Sequence, residues 1–147
     1  MDLRYFKSTG NTKLQSIHKS SWIPIVLYNS SAKDANSTIV KREDIDFEFI
    51  VESVTYVFFT SSLNEAYYLT AIFNSAAPNK MMKDFQARGL YGARHVHKKI
   101  LDIYYPRFDA GDETHLELAE LSRAAHEKAS AYTASNVKIV TLVQTMR

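Results

Sequence analysis

The chain has no cysteine. A disulfide framework and a thiolate metal site are therefore both excluded. Its only prolines are Pro24, Pro78 and Pro106, none adjacent to another, and none of its four glycines forms a Gly-x-Gly turn. No stretch approaches the roughly 20 apolar residues that a membrane helix needs. The opening Met1-Asp-Leu-Arg-Tyr-Phe-Lys7 lacks the apolar run of a signal peptide. The expectation from these absences is a cytoplasmic chain with no membrane partner.

Core-forming material is plentiful. The 147 residues are 46% apolar and 23% charged, which suits one globular domain over 1–147 rather than a disordered chain. The net charge of +2 is too small to argue for a polyanionic partner, so its distribution matters more. Residues 80–99 hold six Lys/Arg against one Asp, while the charges elsewhere nearly balance. Within that stretch, Phe85-Gln-Ala-Arg-Gly-Leu-Tyr-Gly-Ala-Arg-His-Val-His-Lys-Lys99 also carries two of the four glycines. A basic segment punctuated by glycine and flanked by regular elements points to an anion, and nucleic acid is the commonest large polyanion.

Hydrophobic patterning places the elements. Residues 1–20 are polar and basic with no clean period. Trp22-Ile-Pro-Ile-Val-Leu-Tyr28 reads as a strand, and Pro24, with no N–H to donate, makes it an edge strand or a strand start. The polar stretch 29–46 reads as a long loop around a short strand at 38–40. Residues 47–60 carry the strongest β pattern. Phe47, Phe49 and Val51 share one parity and Val54, Tyr56 and Phe58 the other, which predicts two strands with a bend near Glu52-Ser53.

Ser62-Leu-Asn-Glu65 fits a capping box opening a helix. Its apolar stripe is Leu69, Ile72, Phe73 and Ala76. Asn74-Ser-Ala-Ala-Pro78 should break that helix, with Pro78 starting a second one that runs to about Arg88 and ends on Gly89. Residues 100–105 read as a strand stopped by Pro106. Asp109 or Asp112 then caps a helix whose Leu118, Leu121, Ala125, Ala129 and Tyr132 fall on one face. The tail, 137–146, fits a strand by its β-branched residues and a short helix by its spacing. Strands and helices without a βαβ rhythm give an α+β class: a small mixed or antiparallel sheet, a kinked helix pair and a C-terminal helix.

Residue types narrow the chemistry the chain can carry. His95-x-His97, with His115, lacks a third-ligand spacing for zinc, and polar surface or hydrogen-bonded roles suit these histidines better. Ser, His and Asp are all present, but no nucleophile-elbow pattern frames a serine. Asp102 stands alone in its strand, whereas a Mg²⁺ nuclease wants paired carboxylates. No cofactor is implied. In Tyr67-Tyr68 and Tyr104-Tyr105 one member of each pair is expected in the core and the other at the surface. Gly89 and Gly92 either admit a phosphate or simply supply positive φ, and the second role is favoured.

One resemblance adds to this. Glu65-Ala-Tyr-Tyr-Leu-Thr-Ala-Ile-Phe-Asn-Ser75, the Phe85 to Lys99 stretch, Leu101-Asp-Ile-Tyr-Tyr-Pro-Arg-Phe-Asp109 and His115-Leu-Glu-Leu-Ala-Glu-Leu121 occur in an order that resembles a known region. That region is the C-terminal target-recognition part of adenine-specific DNA methyltransferases and combined restriction–modification enzymes. It is more distantly similar to Type I restriction specificity subunits. The likeness spans roughly 49–128, leaving 1–48 unmatched and 129–147 as a tail. Tyr104-Tyr105-Pro106 departs from the small, proline-rich strand end usual in the family.

The resemblance implies a module that binds duplex DNA and helps select the modified sequence. Its DNA-binding set would be Lys80, Lys83, Gln86, Arg88, Tyr91, Arg94, His95, His97, Lys98 and Lys99. Arg88, Arg94, Lys98 and Lys99 would meet phosphates, and Gln86 or Arg94 would read base edges. It also implies a catalytic methyltransferase or endonuclease subunit as partner. A methyltransferase of this class needs a glycine-rich methyl-donor turn and a Pro-Pro-aromatic loop, and this chain has neither, so no methyl transfer is expected from it. A separate specificity polypeptide, a fragment and a gene remnant all fit. The alternative is a protein-interaction or oligomerisation module without DNA binding of its own. In that case the helix at 112–132 or a strand edge docks a partner or a second copy as a homodimer.

Overall fold

The computed structural model describes residues 5–6, 24–29, 34, 36–44, 55–60, 62–83, 88–89, 92–93 and 104–145, with backbone alone at 5–6, 42, 82, 88–89, 92–93 and 135–145. The elements are β1 (Tyr5–Phe6), β2 (Ile25–Asn29), β3 (Ser37–Val40), β4 (Thr55–Phe59), α1 (Leu63–Asn74), α2 (Ala76–Met82), β5 (Arg88–Gly89), β6 (Gly92–Ala93) and α3 (Glu113–Thr145). The first four strands form one sheet in the order β1-β4-β2-β3, antiparallel throughout. The class is α+β.

Strand β2 is central, not an edge strand: it pairs with β4 on one side and β3 on the other. Pro24 is compatible with this because it lies just outside the ladder, where no donor is needed. Its carbonyl accepts from both the Thr60 N–H at 3.2 Å and the Thr60 hydroxyl at 2.7 Å, tying the end of β4 to the start of β2. Strand β1, inside a segment with no apolar period, adds two residues to the far side of β4. The other end of the sheet is closed by Asn74. Its side-chain oxygen accepts from the Ser37 N–H at 2.7 Å and its amide donates to the Ser37 carbonyl at 3.0 Å, so it pairs with β3 as another strand would.

The core lies between this sheet and α1. Val26, Tyr28 and Phe58 share one sheet face by register and belong to the buried cluster with Tyr67, Tyr68, Leu69 and Phe73 of the helix. Tyr56 packs against that cluster, so the parity expected for Tyr56 and Phe58 holds; the expected bend near Glu52-Ser53 lies outside the described residues. Ile25 and Val57, on the other face, are buried as well. Phe73 is the junction: its ring lies 5.8 Å from Tyr28, 5.3 Å from Phe58 and 5.9 Å edge-on from Tyr105. Helix α1 starts as the capping signal predicts, with Ser62 Oγ accepting from the Glu65 N–H at 3.1 Å. Leu69 and Phe73 of the expected stripe are buried and Ile72 packs beside them, but Ala76 is exposed because the chain turns first. Ser75 adopts an extended conformation between the helices (φ −73°, ψ 162°). Pro78 is buried in α2 as its third residue, not its first.

Four further expectations change. Helix α2 stops at Met82, not Arg88, and Gly89 is in a strand instead of ending a helix. Tyr104 and Tyr105 are not in a strand, while 100–103 lie outside the described residues. Of the tyrosine pairs, Tyr105 is buried and Tyr104 exposed as expected, but Tyr67 and Tyr68 are both buried because α1 is covered by the sheet and by α3. The 137–146 ambiguity resolves to helix as far as Thr145.

The apolar stripe of α3 packs only in part: Leu118 is half-buried against the core, but Leu121, Ala125, Ala129 and Tyr132 are exposed. His115, Ala119 and Ser122 are buried, while Leu121 and Tyr132 are 61% and 72% exposed. Arg123 reaches α1 from this packed face, donating to Asn64 Oδ1 at 3.0 Å and lying 5.3 Å over the Tyr67 ring. Small side chains at Ala119 and Ser122 let the helices approach, and that outweighs the larger hydrophobes one quarter-turn away.

Removing the junction ring should be the most damaging single truncation in this core. Phe73→Ala is expected to lower the unfolding free energy by about 3–5 kcal/mol. Ser62→Ala, which removes only the cap, is expected to lower it by about 1 kcal/mol. Urea unfolding followed by circular dichroism measures both.

Candidate nucleic-acid interface

The basic stretch begins on α2. Pro78 is buried and Asn79 half-buried, with Asn79 Nδ2 donating to the Ser75 carbonyl at 3.2 Å, so this side of the short helix faces the body. Lys80, Met81 and Lys83 are on the exposed side, with Lys80 in the last turn. Lys80 makes no ion pair among the described residues. Lys83 does: its ammonium pairs with Asp34, from the connection between β2 and β3. Both side chains are largely exposed, so the pair is weakly held and readily screened. No local pattern reveals Asp34 as a neighbour, because it lies 49 residues away in sequence.

Beyond α2 the chain folds back on itself. Arg88 pairs with Ala93 and Gly89 with Gly92, antiparallel, leaving two residues between the paired glycines. Gly89-x-x-Gly92 is therefore the close of a narrow two-stranded ribbon. Two-residue connections favour residues that tolerate positive φ, and glycine beside the turn relieves crowding. Lys80, Lys83 and Arg88 precede the turn in sequence, and Arg94, Lys98 and Lys99 follow it. Of the expected set, Lys80 and Lys83 are described in full and Arg88 by its backbone. Gln86, Tyr91, Arg94, His95, His97, Lys98 and Lys99 lie outside the described residues. Among the described residues no three His, Asp or Glu come together as a metal site, and no helix is long and apolar enough to cross a membrane.

A second cluster of titratable groups surrounds His115. Its Nδ1 accepts from the Asp109 N–H at 3.0 Å, and its Nε2 lies 3.8 Å from Asp112 Oδ2. The ring sits 4.6 Å from Tyr68 and 6.2 Å from Phe108, and the Tyr68 hydroxyl donates to the Pro106 carbonyl at 2.8 Å. Burial, with Asp112 and Tyr104 nearby, pushes the Tyr68 phenol above its ordinary pKa. Asp112 caps α3, accepting from Thr114 N–H at 2.8 Å and His115 N–H at 3.3 Å. Asp109 instead accepts from Gly111 N–H at 2.8 Å in the preceding turn. Each polar group here is engaged by a neighbour within the corner. The cluster fixes segment 104–112 against two helices.

No family model matches the chain, and neither a curated protein nor a solved structure matches it.

The corner has a pH signature. The His115 backbone N–H, seconded by that of Thr114, holds the Asp112 carboxyl below its ordinary value of 3.8. A depressed carboxylate contributes stability above its unfolded pKa and loses it as pH falls through the folded one. Asp112→Asn should therefore be less stable than the parent near neutrality, and the gap should close in strong acid. Thermal unfolding across an acid pH series measures it; a gap of constant size would mean that charge plays no part in the cap.

Proposed function

We propose that this chain is a noncatalytic DNA-recognition module of the kind found in restriction–modification methyltransferases. The observation that carries the reading is the basic ribbon: exposed lysines on α2 lead into a tight antiparallel turn within the one segment where cations outnumber acids six to one. A two-stranded ribbon is narrow enough to enter a DNA groove, and cations on its flanks neutralise the phosphates on either side. Lys80, Lys83, Arg88, Lys98 and Lys99 supply the phosphate contacts. Gln86 and Arg94 read base edges, with Tyr91, His95 and His97 alongside. Asp34 competes with phosphate for Lys83, so binding exchanges a weak intramolecular ion pair for an intermolecular one. The ordered resemblance supports the same assignment. With no glycine-rich donor turn and no Pro-Pro-aromatic loop in these residues, modification chemistry falls to methyltransferase or endonuclease machinery outside them.

Affinity for a duplex is expected to fall linearly in log–log form with salt, through release of condensed counterions. Arg88→Ala with Arg94→Ala should weaken binding and flatten that slope by roughly one unit per lost phosphate contact. Asp34→Asn should act in the opposite direction and tighten binding by releasing Lys83. Fluorescence anisotropy with a labelled duplex, titrated from low salt upward, measures all three. No detectable binding at low salt would rule the reading out for this chain alone.

A further inference from the structure

Helix α3 is the longest element among the described residues. Its 33 residues make a rod of about 50 Å. Its contacts with α1 include Arg123, which donates to Asn64, and His126, which lies edge-on to the Tyr67 ring at 5.5 Å. Every side chain from Glu127 to Ala134 is exposed, yet the helix continues to Thr145. An isolated helical segment of that length is marginal in water. This one also carries Val137, Ile139, Val140, Thr141 and Val143, which are weak helix formers. Such a segment is best sustained by packing against something else.

Its sequence specifies what. Leu118, Leu121, Ala125, Lys128 and Tyr132 alternate at spacings of three and four, and Ser135, Ile139 and Leu142 continue the alternation. These are the a and d positions of a heptad seam sustained along the helix. Leu118, at the start of the seam, is half-buried against the core, while Leu121, Ala125, Lys128 and Tyr132 are all exposed, beside the face that packs on α1. Charge is divided along the same helix. From Asp112 to Glu127 there are five acids and one cation, Arg123. From Lys128 onward there are Lys128, Lys138 and Arg147 and no acid.

We infer that the exposed heptad seam of α3 docks the α3 of a second copy of this chain, antiparallel. Antiparallel pairing lays the acidic half of each helix along the basic half of the other. The register that overlaps nearly the whole helix sets Leu118 opposite Leu142 of the second copy, Leu121 opposite Ile139 and Ala125 opposite Ser135. It also sets Lys128 opposite Tyr132, where an ammonium gains from an aromatic face. Parallel pairing would instead stack Lys128 on its own copy inside the seam and align acid with acid, so charge selects the orientation. The inference stands apart from the DNA reading, since the seam uses none of the residues assigned to DNA.

The experiment uses the full chain. Sedimentation equilibrium should give a mass about twice the 16.8 kDa of one chain. Because the protein has no cysteine, single introduced thiols report the register. Lys128→Cys and Tyr132→Cys copies, mixed and oxidised, should give the mixed disulfide, while neither variant alone should cross-link. Leu121→Lys changes a side chain exposed in the single chain. It should keep the helical circular dichroism and weaken self-association by roughly tenfold or more, as expected for an unpaired charge in a buried seam. A monomer at high micromolar concentration would overturn the inference. So would cross-linking of Lys128→Cys to itself, or a Leu121→Lys variant that remains dimeric.

Discussion

The fold depends on how Tyr68 is held. It lies on α1 with 1% of its surface exposed, and it ties that helix to the distant corner where the connection at 104–112 meets α3. Its ring packs on His115 of α3 and on Phe108 of the preceding connection. Its hydroxyl donates to the carbonyl of Pro106, 38 residues away. Through His115, which takes the Asp109 N–H on Nδ1, the same contact fixes where α3 begins. A phenol is well suited to this position: its apolar face contributes burial, and its one polar atom finds a partner at the edge. Phe73, one helical turn farther on, makes the equivalent junction with the sheet. Helix α1 is thus the hub, with the sheet on one side and α3 on another, and this explains why six of its twelve residues are buried rather than a single stripe.

Features set by short-range chemistry were legible in the sequence. Ser62 caps α1, Asp112 caps α3, Ser75 separates the helix pair, and the parity of Tyr56 and Phe58 marks the core face of β4. Each depends on atoms within a few residues. The features that eluded the sequence are those decided by distant neighbours. Pro24 allowed an edge strand or a strand start; it is the second, because β3 and β4 arrive on both sides of β2. Leu121 and Tyr132 lie on a stripe that suits either the core or a partner, and only the closer approach that Ala119 and Ser122 permit decides which face meets α1. Gly89 suited a helix end by its local sequence, but its pairing with Gly92 places it in a strand. For the candidate site, sequence located the cations, while the ladder and the Asp34 partner of Lys83 required coordinates.

The two faces of α3 differ in the side chains they present. A helix with two apolar faces has two surfaces to bury, and the single chain buries only the one lined by His115, Ala119 and Ser122. Small residues make that face suited to close packing within a domain. The other face, with larger residues at heptad spacing, matches the geometry of a second helix at coiled-coil distance.

The proposed DNA contact and the proposed self-association both involve charge, but they should answer to salt differently. Phosphate neutralisation releases condensed counterions, so its free energy changes steeply with ionic strength. In the α3 pair, charge chooses the orientation while the apolar layers hold the helices together. Exposed ion pairs of that kind are individually worth little and are screened without dissolving the contact. Moderate salt should then separate the protein from DNA while leaving the pair of chains intact. A dimer that fell apart in parallel with DNA release would instead mean that the two copies are held together by the DNA they share.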